Sequence, residues 1–126
     1  MIKPILREVL LKLIEWQGVT RFYVGNQGNF DGMARCLLAE LEHSYGIGYE
    51  VVLAYMPKKE DGVFDAGHTI LPEGIETAPQ RFAIDRRNRW MIDHSDIVLS
   101  YTVRDRGGAY EAKKYAEKLK KHIIIL

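Results

Sequence analysis

Cysteine is almost absent from this chain. Cys36 is the only one in 126 residues, so no disulfide framework can form within one copy. A reducing compartment suits such a chain, and a cytoplasmic location is expected. No hydrophobic run approaches the roughly 20 residues needed to span a bilayer. The apolar start, "MIKPILREVLLKLIEW", is interrupted by charges at helical spacing and lacks a small-residue cleavage site. It predicts a packed helix, with neither a signal peptide nor a membrane partner. An excess of one charge is also missing: 18 Lys and Arg stand against 17 Asp and Glu, for a net charge of +1. That balance disfavours a nucleic-acid partner but leaves room for a local basic pocket. Internal repeats and low-complexity tracts are absent. None of His43, His68, His94 and His122 has metal-ligand spacing with another His or with Cys36, so neither a metal site nor a cofactor is expected.

What is present is ordinary for a globular domain, with 47% hydrophobic and 28% charged residues. The length suits one domain over residues 1–126, able to bury roughly two-thirds of its unfolded surface. Ile2, Ile5, Leu6, Val9, Leu10 and Leu13 recur at helical spacing, and Gly18 ends that helix. This stripe can serve a core or an interface between copies. "RFYV" at 21–24 predicts a strand. Met33, Leu37, Leu38 and Leu41 predict a second helix, with Cys36 a buried thiol among them. "YEVVLAYM" at 49–56 predicts a strand, and "HTILPEG" can hold a short one. Thr77, Pro79 and Gln80 form a capping-box start for a helix running to about His94. "DIVLSYT" at 96–102 and the closing "HIIIL" read as strands covered on both faces. Between them lies a helix with a narrow apolar side: Ala109, Ala112, Ala116 and Leu119. The polar loop 57–69 is long enough to be a flap.

Strands and helices alternate. The expected fold class is therefore α/β, a three-layer sandwich with a mostly parallel sheet of four or five strands. The expected order puts strands 21–25 and 96–102 side by side at the centre. One connection leaves to each side, which makes that pair a switch point where ligands bind.

Two glycine-rich turns meet at that point. In "GNQGNFDG", Gly25 and Gly28 let a ligand approach the backbone, and the helix that follows offers free N–H groups to a phosphate. Asn26, Asn29 and Asp31 can hydrogen-bond a ribose or base, or else Asn29 or Asp31 simply caps the helix. In "RDRGGAYEA", Gly107 and Gly108 open a second helix, and Arg104 and Arg106 sit in the approach. Tyr101 and Tyr110 can stack on a base. Glu111 faces the cleft or complements the helix dipole. Neither turn is a G-x-G-x-x-G or Walker A sequence, and no acidic residue ends the second strand, which disfavours an NAD-dependent dehydrogenase. A third stretch, "RFAIDRRNRWMIDHSD", places Arg87 on the same helical side as Ala83, Trp90, Met91 and His94. A guanidinium there either snorkels or pairs with a carboxylate, or it reaches a ligand phosphate or ribose. Asn88 beside it is a further ligand contact, and Arg86 and Arg89 point to solvent.

"FYVGNQGNFDGMA", "RNRWMIDHSDIVLSY" and "GGAYEAKKYA", in that order, resemble the SLOG superfamily of Smf/DprA and LOG proteins, closest to its small YpsA-like branch. The resemblance runs from about Thr20 to Leu126. It implies a Rossmann-like fold that binds a nucleotide or nucleotide-derived small molecule, as a signal sensor or sequestering protein. It also implies a homodimer or higher homo-oligomer. Members that release a base from a nucleoside monophosphate carry an R-K-x-x-M segment, matched here by Arg87 with Asn88 in the lysine position. They also carry P-G-G-x-G-T-x-x-E, against which this chain has Arg106, Gly107, Gly108, Tyr110 and Glu111, with Lys114 in the glutamate position. An N-glycosidase using Glu111 and Arg87 is therefore carried as the alternative to a binding protein.

Overall fold

The computed structural model describes residues 2–25, 28–54, 68–72, 80–101 and 108–126. In chain order they form α1 (Ile2–Gln17), β1 (Arg21–Val24), α2 (Gly28–Tyr45), β2 (Gly48–Val52), β3 (Thr69–Ile70), α3 (Gln80–Asp93), β4 (Ile97–Ser100), α4 (Gly108–Lys118) and β5 (His122–Ile125). The chain is α/β, as the alternation predicts. Thr77, Pro79 and loop residues 57–67 lie outside the described residues.

The strands make two parallel sheets, one of three strands in the order β1-β2-β3 and one pairing β4 with β5. Arg21 aligns with Gly48 and Val24 with Val51, while Val51 and Val52 align with Thr69 and Ile70. In the second sheet Ile97 aligns with His122 and Ser100 with Ile125. The expected β1–β4 pairing does not form among the described residues. A cavity of about 590 Å³ lies between the two strands instead, lined by Leu6, Leu10 and Leu13 of α1 and by Met91 and Ile92 of α3. Local alternation fixes that strands exist, but pairing between strands so distant in sequence depends on how the helices pack around them.

The core gathers α1, β1 and α2. Leu6, Leu10, Val24, Ala34, Leu37, Leu38, Leu41 and Ile47 are buried in one cluster, and Leu99 and Leu126 of the second sheet pack against it. Full burial of each large side chain stabilises by about 1.5–3 kcal/mol. The stripe of α1 is narrower than its sequence spacing suggests, because Ile5 stays half exposed. Cys36 is exposed, not buried. It sits about 100° round the helix from its neighbour Leu37, on the solvent side. The narrow side of α4 reduces to Ala116, while Ala109 and Leu119 are exposed. "HIIIL" is an edge strand rather than a covered one: it pairs only with β4 among the described residues, and Ile125 is 62% exposed. No helix among the described residues is long and apolar enough to cross a membrane.

Helix ends follow their local chemistry. Gly18 adopts φ +68° where α1 stops, a left-handed turn that glycine takes without steric cost, and Gly46 ends α2 likewise. α4 ends in a Schellman motif. The Lys121 N–H donates to the Ala116 carbonyl (3.1 Å) and the Lys120 N–H to that of Glu117 (3.0 Å). The left-handed position is Lys120, at φ 58°. Lys120→Gly should raise stability by about 0.5–1 kcal/mol, because relief of the side-chain clash outweighs glycine's unfolded-state entropy. A urea midpoint that falls at constant slope would refute this.

α3 and α4 are tied on their outer side. The Tyr115 hydroxyl donates to Asp93 Oδ1 at 2.7 Å, and the Arg89 guanidinium lies 5.0 Å from the Tyr115 ring centre. The hydrogen bond to a carboxylate raises the Tyr115 pKa above its ordinary value of about 10. Glu15 does the same to Tyr45. The folded state thus holds these protons more tightly than the unfolded chain. Their contribution is complete below about pH 10 and is lost as pH rises through the folded values. In an ultraviolet titration of tyrosinate, Tyr115→Phe should remove one equivalent from the late-titrating fraction. Loss from the ordinary fraction would show that the Asp93 bond is absent in solution.

Candidate functional site

The C-terminal end of β1 places Gly25 in the interior, one residue past buried Val24. α2 begins at Gly28, so Asn29 and Asp31 lie within its first turn and not ahead of it as caps. Asn29 is exposed and Asp31 half-buried. The Asp31 carboxylate there complements the positive end of the helix. α4 opens in the same way at Gly108, with Glu111 exposed in its first turn.

α3 passes between these two helix starts. Ala83, Arg87 and Ile92 form its buried side, while Arg86, Arg89 and His94 are exposed. Arg87 is only 2% exposed. Its Nη1 donates to the Val52 carbonyl at the end of β2 (3.1 Å), and its Nε donates to Asn88 Oδ1 (2.9 Å). A buried guanidinium cannot shed its charge, so such hydrogen bonds are the condition of its burial. The neighbouring Asn88 faces the other way as well: its Nδ2 lies 4.0 Å from where a Cβ on Gly108 would stand. Two consecutive residues of α3 thus reach both glycine turns.

Gly25 has a definite occupant. A Cβ there would stand 2.8 Å from Arg87 Cζ and 2.5 Å from Asp31 Oδ2. The space that the sequence offers to a ligand is taken by a carboxylate and a guanidinium of the protein itself. Arg87 therefore matches the expectation of a core-facing arginine, while its described bonds run to protein groups.

Tyr101 follows β4 and is 37% exposed. Its ring stacks on Phe30 of α2, with centroids 5.8 Å apart and planes inclined by 23°. Phe30 is the residue that the sequence reading passed over, although an aromatic inside "GNFDG" was the available signal. The structure brings Asp31 and Arg87 to Gly25, Asn88 to Arg87 and toward Gly108, and Tyr101 onto Phe30. Tyr110 instead packs under the Lys114 ammonium, 5.3 Å from its ring centre. Asn29 and Glu111 are both exposed, and no hydrogen bond or ion pair among the described residues ties either to that cluster. Asn26, Arg104, Arg106 and Gly107 lie outside the described residues. No three His, Cys, Asp or Glu side chains gather to hold a metal among the described residues.

Gly25→Ala should cost about 1–3 kcal/mol through overpacking against Arg87 and Asp31. In an Arg87→Met background the same change should cost clearly less, with a coupling of at least about 0.5 kcal/mol in urea unfolding. Additive costs would mean that Arg87 does not fill the space over Gly25.

No family model, curated protein or solved structure matches this chain, so the chemistry of the site rests on its own residues.

Proposed function

We propose that this chain is a nucleotide-binding domain of the SLOG type, holding a nucleotide or nucleotide-derived small molecule as a sensor or sequestering protein. The observation that carries the reading is the reach of Arg87 and Asn88 from one helix to both glycine turns. The first N–H groups of α2 and α4 have no intrahelical partner, and these positive dipole ends suit a phosphate. The Arg87 guanidinium and the Asp31 carboxylate stand together over Gly25, so their charges largely offset each other there and hold the turn in place. Arg106 and Gly107 complete the second turn in this reading, and Tyr101 or Tyr110 receives the base. The two sheets then belong to one Rossmann-like sandwich whose central strands are β1 and β4.

The same reading carries a cytoplasmic protein that associates with its own copies as a homodimer or higher homo-oligomer. Ile5 at 50% and Trp16 at 83% exposure on α1 support an interface there. Sedimentation of the protein and of a Trp16→Glu variant tests it. Glu111, exposed in the first turn of α4, supports hydrolysis as the second reading. Free base released from a nucleoside monophosphate, and lost in Glu111→Gln, would establish that reading.

Binding is tested by mass spectrometry of small molecules that co-purify with the protein, and by thermal shift across a nucleotide panel. A ligand at 100 times its dissociation constant should add about 2.7 kcal/mol of stability. The shift should shrink as salt rises, because charge-assisted contacts are screened. No retained molecule and no shift across the panel would end the proposal.

A further inference from the structure

The nucleotide reading leaves open which ring receives the base, and resting on that reading, we infer that the Phe30–Tyr101 stack is the platform for it. The two rings come from different sheets' connections: Phe30 from the first turn of α2, and Tyr101 from the residue after β4. Their centroids are 5.8 Å apart at 23°. Phe30 is half-buried and lines the cavity between β1 and β4 together with Gly25 and Asp31. It therefore backs Tyr101 from the protein side. Tyr101, stacked against Phe30, keeps 37% of its surface exposed. Phe30 directly precedes Asp31, whose carboxylate meets the Arg87 guanidinium over Gly25, so the aromatic pair adjoins a polar cluster through α2.

The chemical match is a planar heteroaromatic base joined to a sugar phosphate. The phosphate takes the helix starts, and the base lies on Tyr101 in the offset geometry that aromatic rings prefer. Stacking on a backed ring is cheap in entropy, because Phe30 already restricts the tyrosine. It also discriminates little between base edges, since every base has a π-face. Preference should therefore follow ring size, purine above pyrimidine, and not hydrogen-bonding pattern.

The experiment compares AMP, GMP, CMP and UMP with ribose 5-phosphate by titration calorimetry on the full chain. The purine nucleotides should bind at least about tenfold more tightly than ribose 5-phosphate, a difference of about 1.4 kcal/mol. Tyr101→Leu should erase that margin while leaving ribose 5-phosphate binding unchanged, and Tyr101→Phe should keep it. Phe30→Leu, which removes the backing ring, should reduce the margin in part. Equal binding of nucleotides and ribose 5-phosphate by the unaltered protein would overturn the platform and leave the phosphate site standing. Equal weakening of both probes in Tyr101→Leu would also overturn it, since the stack would then be only a clasp between segments. Binding of neither probe would overturn the platform and the nucleotide reading together.

Discussion

The arrangement of this protein depends on one buried charge. Arg87 is a permanent cation with 2% of its surface exposed, and it survives there because backbone and side-chain acceptors receive it. Its Nη1 reaches the Val52 carbonyl, its Nε reaches Asn88, and its guanidinium fills the space over Gly25. Three segments are fixed by that one side chain: the end of β2, the end of β1 and the middle of α3. A hydrocarbon of similar length would fill the volume but would leave the Val52 carbonyl short of that donor. A lysine would carry the charge without the planar fork that serves two directions at once.

Much of the rest is conventional packing, and it is here that the sequence was legible. The apolar spacing of Leu37, Leu38 and Leu41 located the buried side of α2, because large aliphatic residues at helical period have few other uses. Arg87 was legible for the same reason, lying four residues after Ala83 and four before Met91. Weak stripes misled. Ala109 lies in a helix whose apolar side is mostly alanine, and a small side chain does not declare which way it faces, while Leu119 falls just past the helix end. Ile125 looked buried because it ends a run of three isoleucines, yet a strand at an edge keeps one flank open whatever its composition.

The candidate site was legible in its members and not in their relations. Both glycine turns open helices, as their sequences suggested. But a glycine only announces that something comes close. At Gly25 the close group is an arginine and an aspartate of the same chain, and nothing in the local sequence distinguishes that from a ligand. Phe30 was overlooked because its partner, Tyr101, is 71 positions away, and a ring's role depends on what it meets. The lack of pairing between β1 and β4 among the described residues belongs to the same class of fact. Their separation is decided by the α1 and α3 side chains that line the space between them.

These long-range relations converge on one location. The segment carrying α1 to β3 supplies Gly25, Phe30, Asp31 and the Val52 carbonyl. The segment carrying α3 to β5 supplies Arg87, Asn88, Tyr101 and Gly108. With no ladder between β1 and β4, side chains carry the junction: Arg87 on Val52, Phe30 on Tyr101, Tyr23 edge-on to Trp90 at 5.3 Å, and Leu99 on the core cluster. Several of the groups that hold the two segments together are therefore the groups that would meet a ligand. A molecule bound across them touches both segments, so its binding energy adds directly to the cohesion of the fold. On the proposed reading, affinity and stability therefore draw on some of the same contacts.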